Sequence, residues 1–151
     1  MRSAQKTISE WLKEAANFWG KMAAIARERG VVILLENHGE RSAWPIIKLL
    51  DEVGSENLKA CFDIGHFEVF GEKKASLFLR DYPRDYIKEV HLSDNMGDRD
   101  AHLPLGRGRI DFESLFNTLG EMGVDPVFTI EAKDAWGVIG GFRYLKKSGR
   151  L

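Results

Sequence analysis

The chain is short of cysteine, of charge imbalance and of long apolar runs. Cys61 is the only cysteine among 151 residues, so no internal disulfide can form and a reducing, cytoplasmic setting is expected. No stretch is apolar over the length a bilayer requires, and the residues after Met1 lack the apolar core of a secretory signal, so no membrane partner is expected. With 22 Lys and Arg against 23 Asp and Glu, the formal net charge is −1. Such a balance provides no general attraction to phosphate backbones or anionic lipid, which leaves nucleic acid an unfavoured partner rather than an excluded one. Internal repeats and low-complexity tracts are missing as well, which excludes solenoids and disordered linkers. What is there is a chain with 44% hydrophobic residues, long enough to bury a core and read as one globular domain over residues 1–151. Cys61 stands inside Leu58-Lys59-Ala60-Cys61-Phe62 and is read as a buried thiol, not a nucleophile.

Apolar periodicity alternates between helix and strand along the whole chain. From Ser9 to Arg29 the apolar residues recur at helical spacing, with Ser9 as the expected N-cap and Gly30 as the stop. Val31 to Leu35 is a continuous aliphatic run, the pattern of a parallel strand covered on both faces, and it delivers Glu36 at its end. Ser42 is expected to cap a helix through Val53, with Pro45 tolerated in its first turn; Leu58 to Ile64 then forms a second strand. A helix over 73–82, a third strand from Ile87 to Leu92, a helix capped by Asp111 and running to Met122, a fourth strand from Val127 to Ala132, and a helix over 136–147 complete the reading. Connections of this length cannot be hairpins, so the strands should be parallel with right-handed crossovers.

Polar residues gather where the strands end. All four histidines sit beside carboxylates, in Glu36-Asn37-His38, Asp63-Ile64-Gly65-His66, His91-Leu92-Ser93-Asp94-Asn95 and Asp100-Ala101-His102. Parallel α/β folds bind ligands at the carboxyl ends of their strands. Glu36, Asp63, His91 and Glu131 at four successive ends offer three carboxylates and one imidazole, a set suited to a divalent Mn, Co, Mg or Zn ion. His66 can join a second metal or hold a ligand oxygen, and Asp100 with His102 share one side of an extended segment that can complete that second site. Asn37 and His38 read as supports that hold Glu36 in place or meet the substrate. Gly106-Arg107-Gly108 reads as a tight turn before Asp111.

These motifs, together with Leu103 to Asp111, resemble the xylose-isomerase-like TIM-barrel superfamily, which holds sugar isomerases and epimerases and the endonuclease IV type of apurinic endonuclease. The match runs from about Met22 to Glu131 and fits the second half of such a barrel, strands five to eight. A complete barrel takes about 250 residues and eight strands. The resemblance therefore implies an α/β half-barrel of four parallel strands whose bare edges need covering. The expectation is a homodimer, with the Glu36 strand of one chain beside the Glu131 strand of the other; the alternative is a fragment of a longer gene product.

The epimerase branch of this superfamily implies one divalent ion on Glu36, Asp63, His91 and Glu131, acting on a sugar or sugar phosphate. Its mechanism has the ion hold two oxygens of a keto sugar while one Glu removes the proton beside the carbonyl and the other returns it to the opposite face, so Glu36 and Glu131 are the expected catalytic pair. That branch often places an arginine shortly after the third-strand histidine, where this chain has Gly97 and Asp98; Arg109, Arg99 or Arg107 would serve for substrate instead. The endonuclease branch hydrolyses phosphodiesters with zinc, and its third-metal ligands resemble His66, Asp100 and His102. Its first metal takes histidines from the half that this chain lacks, which favours sugar chemistry. A non-catalytic metal-binding half-barrel is the remaining alternative.

Overall fold

A computed structural model describes residues 7–150; residues 1–6 and 151 of the expected domain lie outside the described residues. Helix α1 (Ile8–Glu28) begins earlier than a cap at Ser9 would place it, because Thr7 and Glu10 form a reciprocal capping box. The Thr7 hydroxyl accepts the Glu10 N–H at 3.2 Å and the Glu10 carboxylate accepts the Thr7 N–H at 2.8 Å. Ser9 is therefore a first-turn residue. The expected cap at Ser42 is displaced likewise: α2 (Trp44–Val53) follows Ala43, which makes no side-chain cap, and ends at Gly54 in the left-handed region, φ 59°.

Strand β1 (Ile33–Glu36) is shorter than the aliphatic run and is only half-buried, not covered on both faces. The reason is local. The Val31 N–H still closes the end of α1 on the Ala26 carbonyl at 3.0 Å, so the strand cannot start until that turn is complete. Strand β2 (Leu58–Asp63) is buried at all six positions. Helix α3 (Ile64–Phe70), absent from the sequence expectation, starts directly at its end because the Asp63 carboxylate accepts the His66 N–H at 2.7 Å and caps it. The expected helix over 73–82 contracts to a single turn, α4 (Ala75–Phe78), followed by a 3-10 turn at Leu79–Asp81. Strand β3 (Ile87–Leu92) and helix α5 (Phe112–Met122, capped by Asp111) have the bounds read from the sequence. Strand β4 (Val127–Ile130) stops two residues short of Ala132, although the Glu131 N–H still bonds the Leu92 carbonyl at 2.9 Å. Helix α6 (Ala135–Lys147) is capped by Asp134.

The four strands are parallel and lie in sequence order, β1-β2-β3-β4, as successive β/α units of a barrel do. Side chains alternate across the sheet. Phe62, Val90 and Leu92 face the helices and join Phe67, Phe78, Phe112 and Leu115 in one apolar core. Their neighbours in the strands face the other way, where the register sets Asp63 beside His91, Cys61 beside Glu89, and His91 beside Thr129. Asp63, Cys61, Glu89, His91 and Thr129 thus share one face of the sheet. Among the described residues no helix is long and apolar enough to cross a membrane.

Candidate metal centre

Adjacent parallel strands lie about 4.8 Å apart, so residues at matching ends meet. Glu36 closes β1, Asp63 closes β2, His91 is one residue from the end of β3, and Glu131 follows β4. The His91 Nδ1 stands 3.2 Å from the Glu131 Oε1, 3.5 Å from the Glu36 Oε1 and 3.9 Å from the Asp63 Oδ2. All four expected ligands therefore surround one point. Two of their atoms, Asp63 Oδ2 and His91 Nδ1, are buried without a hydrogen-bond partner. A buried polar atom left unpaired costs about 1–3 kcal/mol, and here two of them aim at the same place between carboxylates. A divalent cation would satisfy both, so the residues present fit such an ion.

The electrostatics agree with this arrangement. The His91 imidazole, 3.5 Å from the Glu36 Oε1, outweighs burial there and holds that carboxyl below the ordinary carboxylate range. Asp63, with no exposed surface, is pushed by burial up to about 6. The Cys61 and Glu36 side chains raise the His91 imidazole to about 11. Positive charge is what this cluster of carboxylates favours.

A second group lies against the first. The His66 Nε2 is 3.3 Å from the Asp100 Oδ2, and the His102 Nε2 approaches the same oxygen at 2.9 Å. Asp100 Oδ1 is buried and unpartnered. His66 turns its Nδ1 to the Asn37 carbonyl at 2.7 Å, which leaves Nε2 facing this cluster. Burial pulls the His66 imidazole down, but Asp63, the Asn37 carbonyl and Asp100 together hold it above its ordinary value. His102 is the one non-glycine residue of positive φ among the described residues, at 45°, a conformation costing about 1 kcal/mol that is typical of functional loops. Its Nδ1 stands 3.7 Å from the Glu131 Oε2, so Glu131 faces both groups.

Three residues take other places than expected. Asn37 does not steady the Glu36 carboxylate. Its amide clamps the Asp63 backbone, donating to the carbonyl at 2.9 Å and accepting the N–H at 2.8 Å, and at 1% exposure it has no surface for substrate. His38 stacks edge-on against His66, 3.4 Å between ring nitrogens, and its backbone N–H goes to Glu40. Arg109 pairs with Glu68 of α3 at 2.8 Å rather than with the ligand cluster.

Asp94 and Asn95 have no role in the reading of the sequence, yet both are fully buried. The Asp94 carboxylate accepts N–H groups from Gly106, Gly108, Asn95 and Ile110 at 2.8–3.2 Å, gathering the Gly106-Arg107-Gly108 loop beneath β3. A Cβ on Gly108 would lie 2.2 Å from Asp94 Oδ1 and from the Asn95 carbonyl, which explains the glycine. The Asn95 amide donates to the Gly65 carbonyl at 2.9 Å and so ties the end of β3 to the turn that carries Asp63 and His66. An Asp-Asn pair just past an apolar strand, with a glycine-rich loop downstream, was the available signal.

Residues 2–148 match the family described as xylose isomerase-like TIM barrel. The chain belongs to this family. Among curated relatives, inosose dehydratase of Lacticaseibacillus casei is 26% identical over 94% of this chain and 53% of its own length. Among solved structures, a D-tagatose 3-epimerase-like protein superimposes with a TM-score of 0.82 at 27% identity, covering 97% of this chain and 57% of that one. A Thermus thermophilus protein soaked with zinc chloride gives a TM-score of 0.74 at 25% identity, over 95% of this chain and 56% of that one. The chain spans about half the length of the curated relatives it matches. As a xylose isomerase-like fold, its four strands are similar to one half of a barrel, and its carboxylates and imidazoles gather at the strand ends, where TIM barrels in general carry their active sites.

Proposed function

We propose that this xylose isomerase-like chain supplies the metal-holding half of a sugar isomerase or epimerase, with Glu36, Asp63, His91 and Glu131 binding one divalent ion. The observation that carries the reading is the convergence of two unpartnered buried atoms, Asp63 Oδ2 and His91 Nδ1, on a point flanked by Glu36 and Glu131. Mn, Co, Mg and Zn all accept such a mixed oxygen and nitrogen set. When bound, the ion supplies the positive charge that makes a C–H beside a sugar carbonyl acidic enough to remove. Glu36, held ionised by His91, takes that proton, and Glu131 on the far side of the cluster returns one to the opposite face. A dehydratase shares the first step and differs in what leaves afterwards, so the inosose dehydratase relatives support the same proton abstraction. The substrate class is a keto sugar or its phosphate.

The complete site requires a closed barrel. Among the described residues β1 and β4 each pair on one side only. Apolar side chains lie exposed along both flanks: Val31 and Val32 before β1, Val127 and Phe128 on β4, and Trp136 and Phe142 on α6. A second copy, its β1 against this β4, would cover them and close eight strands.

A second reading rests on the His66, Asp100 and His102 group with its orphan Asp100 Oδ1, a zinc set for phosphodiester hydrolysis at abasic sites in DNA. The chain is to be incubated with Mn or Co and a panel of ketoses and ketose phosphates, and separately with Zn and an abasic duplex, with and without chelator. Chelator-sensitive epimerisation supports the first reading. Strand cleavage without sugar turnover would replace it with the second, and silence in both arms would leave a binding half-barrel.

A further inference from the structure

Glu89 lies two residues before His91 on β3 and therefore on the same, ligand-bearing face of the sheet. An acidic side chain in that interior layer needs partners, and two are present. The Glu89 Oε1 stands 3.3 Å from the His91 Nε2 and accepts a hydrogen bond from the Thr129 hydroxyl on β4, the residue in register with His91. The two nitrogens of His91 thus face different tasks: Nε2 looks down to Glu89, while Nδ1 looks up into the ligand cluster with no hydrogen-bond partner. We infer that Glu89 is a positioning residue for the metal centre: it accepts the Nε2–H of His91, so that Nδ1 presents its lone pair to the ion, and Thr129 holds the Glu89 carboxylate for that purpose.

Metal-bound histidines generally donate their second ring N–H to a carboxylate, a backbone carbonyl or water, which fixes the tautomer and ring plane and strengthens the ligand. Cys61, the third side chain of this layer, lies within reach of Glu89 and His91. Glu89 touches neither substrate nor ion; it acts through His91. The inference rests on the proposed metal centre at Glu36, Asp63, His91 and Glu131, and its test separates the two.

Co titrated against a competing chelator, with the full chain, is expected to bind one ion per wild-type chain at this centre. His91→Ala is expected to abolish that binding. Glu89→Gln, which keeps shape and removes charge, is expected to weaken it about 10–100-fold, with a changed visible Co spectrum. Thr129→Val is expected to weaken it about threefold, as loss of one hydrogen bond to the Glu89 carboxylate that reaches the ion only through His91, and to add nothing in the Glu89→Gln background, because the two act along one chain of contacts. In the Zn-loaded protein, the His91 Nε2–H resonance should be slow to exchange with solvent, and Glu89→Gln should speed that exchange. A merely structural Glu89 would lower stability without changing the spectrum or this exchange. Glu89→Gln with wild-type affinity, spectrum and exchange, while His91→Ala still fails to bind, overturns the role of Glu89 alone. Full binding by His91→Ala, or none by wild type, overturns the metal centre and this inference with it.

Discussion

Asp63 offers the sharpest separation of function from stability in this chain. Its carboxylate has no exposed surface, and burial raises it from 3.8 to about 6. Holding it ionised in the native state therefore costs about 3 kcal/mol relative to the unfolded chain. The sign follows from proton counting. Between the two values the native state binds more protons than the unfolded one, so stability falls as pH rises from about 4 to about 6 and then stays at its lower level. Asp63→Asn removes the charge and keeps an oxygen to cap His66 on α3. In chelator-treated protein at pH 8, urea or thermal unfolding should show the Asn variant more stable by about 1–3 kcal/mol, lost contacts with His66 offsetting part of the gain. For a domain of this size that is about 3–10 °C in Tm. The gain should shrink to about half at pH 5 and nearly vanish at pH 4. Adding Mn or Co at a hundred times its dissociation constant should raise the wild type by about 2.7 kcal/mol and leave the variant unchanged. An Asn variant less stable than wild type at pH 8, or one whose advantage persists undiminished at pH 4, would refute the reasoning.

Three further outcomes follow from the geometry. A Cβ on Gly65 would stand 2.3 Å from the Ser93 Oγ and 3.2 Å from the Asp63 Oδ1, so Gly65→Ala should cost about 1–3 kcal/mol in denaturant unfolding and weaken metal binding by displacing Asp63. Asp94→Asn leaves one oxygen for four backbone donors and turns an amide N–H toward them. It should cost roughly 3 kcal/mol, and protease should then cut first in the loop over 104–110. Light scattering should find the wild type at twice 17.1 kDa and Val127→Lys, on the exposed β4 edge, at the single mass; a monomeric wild type would remove the homodimer.

The bounds of β3 and α5 were legible because both ends of each were marked locally: the break at Pro83 and the polar run after Leu92 for the strand, the Asp111 cap and the glycine at 123 for the helix. The edges of α1 and β1 were not, because a capping box at Thr7 and a closing turn at Val31 compete with simpler signals nearby. Helix α3 was hidden for a different reason. Asp63 reads as a ligand in the sequence, and it is also an N-cap. Among the site residues, Asn37 stands next to Glu36 in sequence, yet strand alternation turns it away from that carboxylate and onto the backbone of β2.

By itself, the sequence determined the alternation of strand and helix, the family resemblance, and the chemistry of the strand ends, because hydrophobic period and residue type are local properties. Only the tertiary structure decided which groups meet. Parallel register brought Asp63 Oδ2 and His91 Nδ1 to one unpartnered point and set Thr129 against Glu89, and the packing of α3 sent Arg109 to Glu68. Those pairings join residues from separate elements, and no spacing along the chain encodes the distance between them.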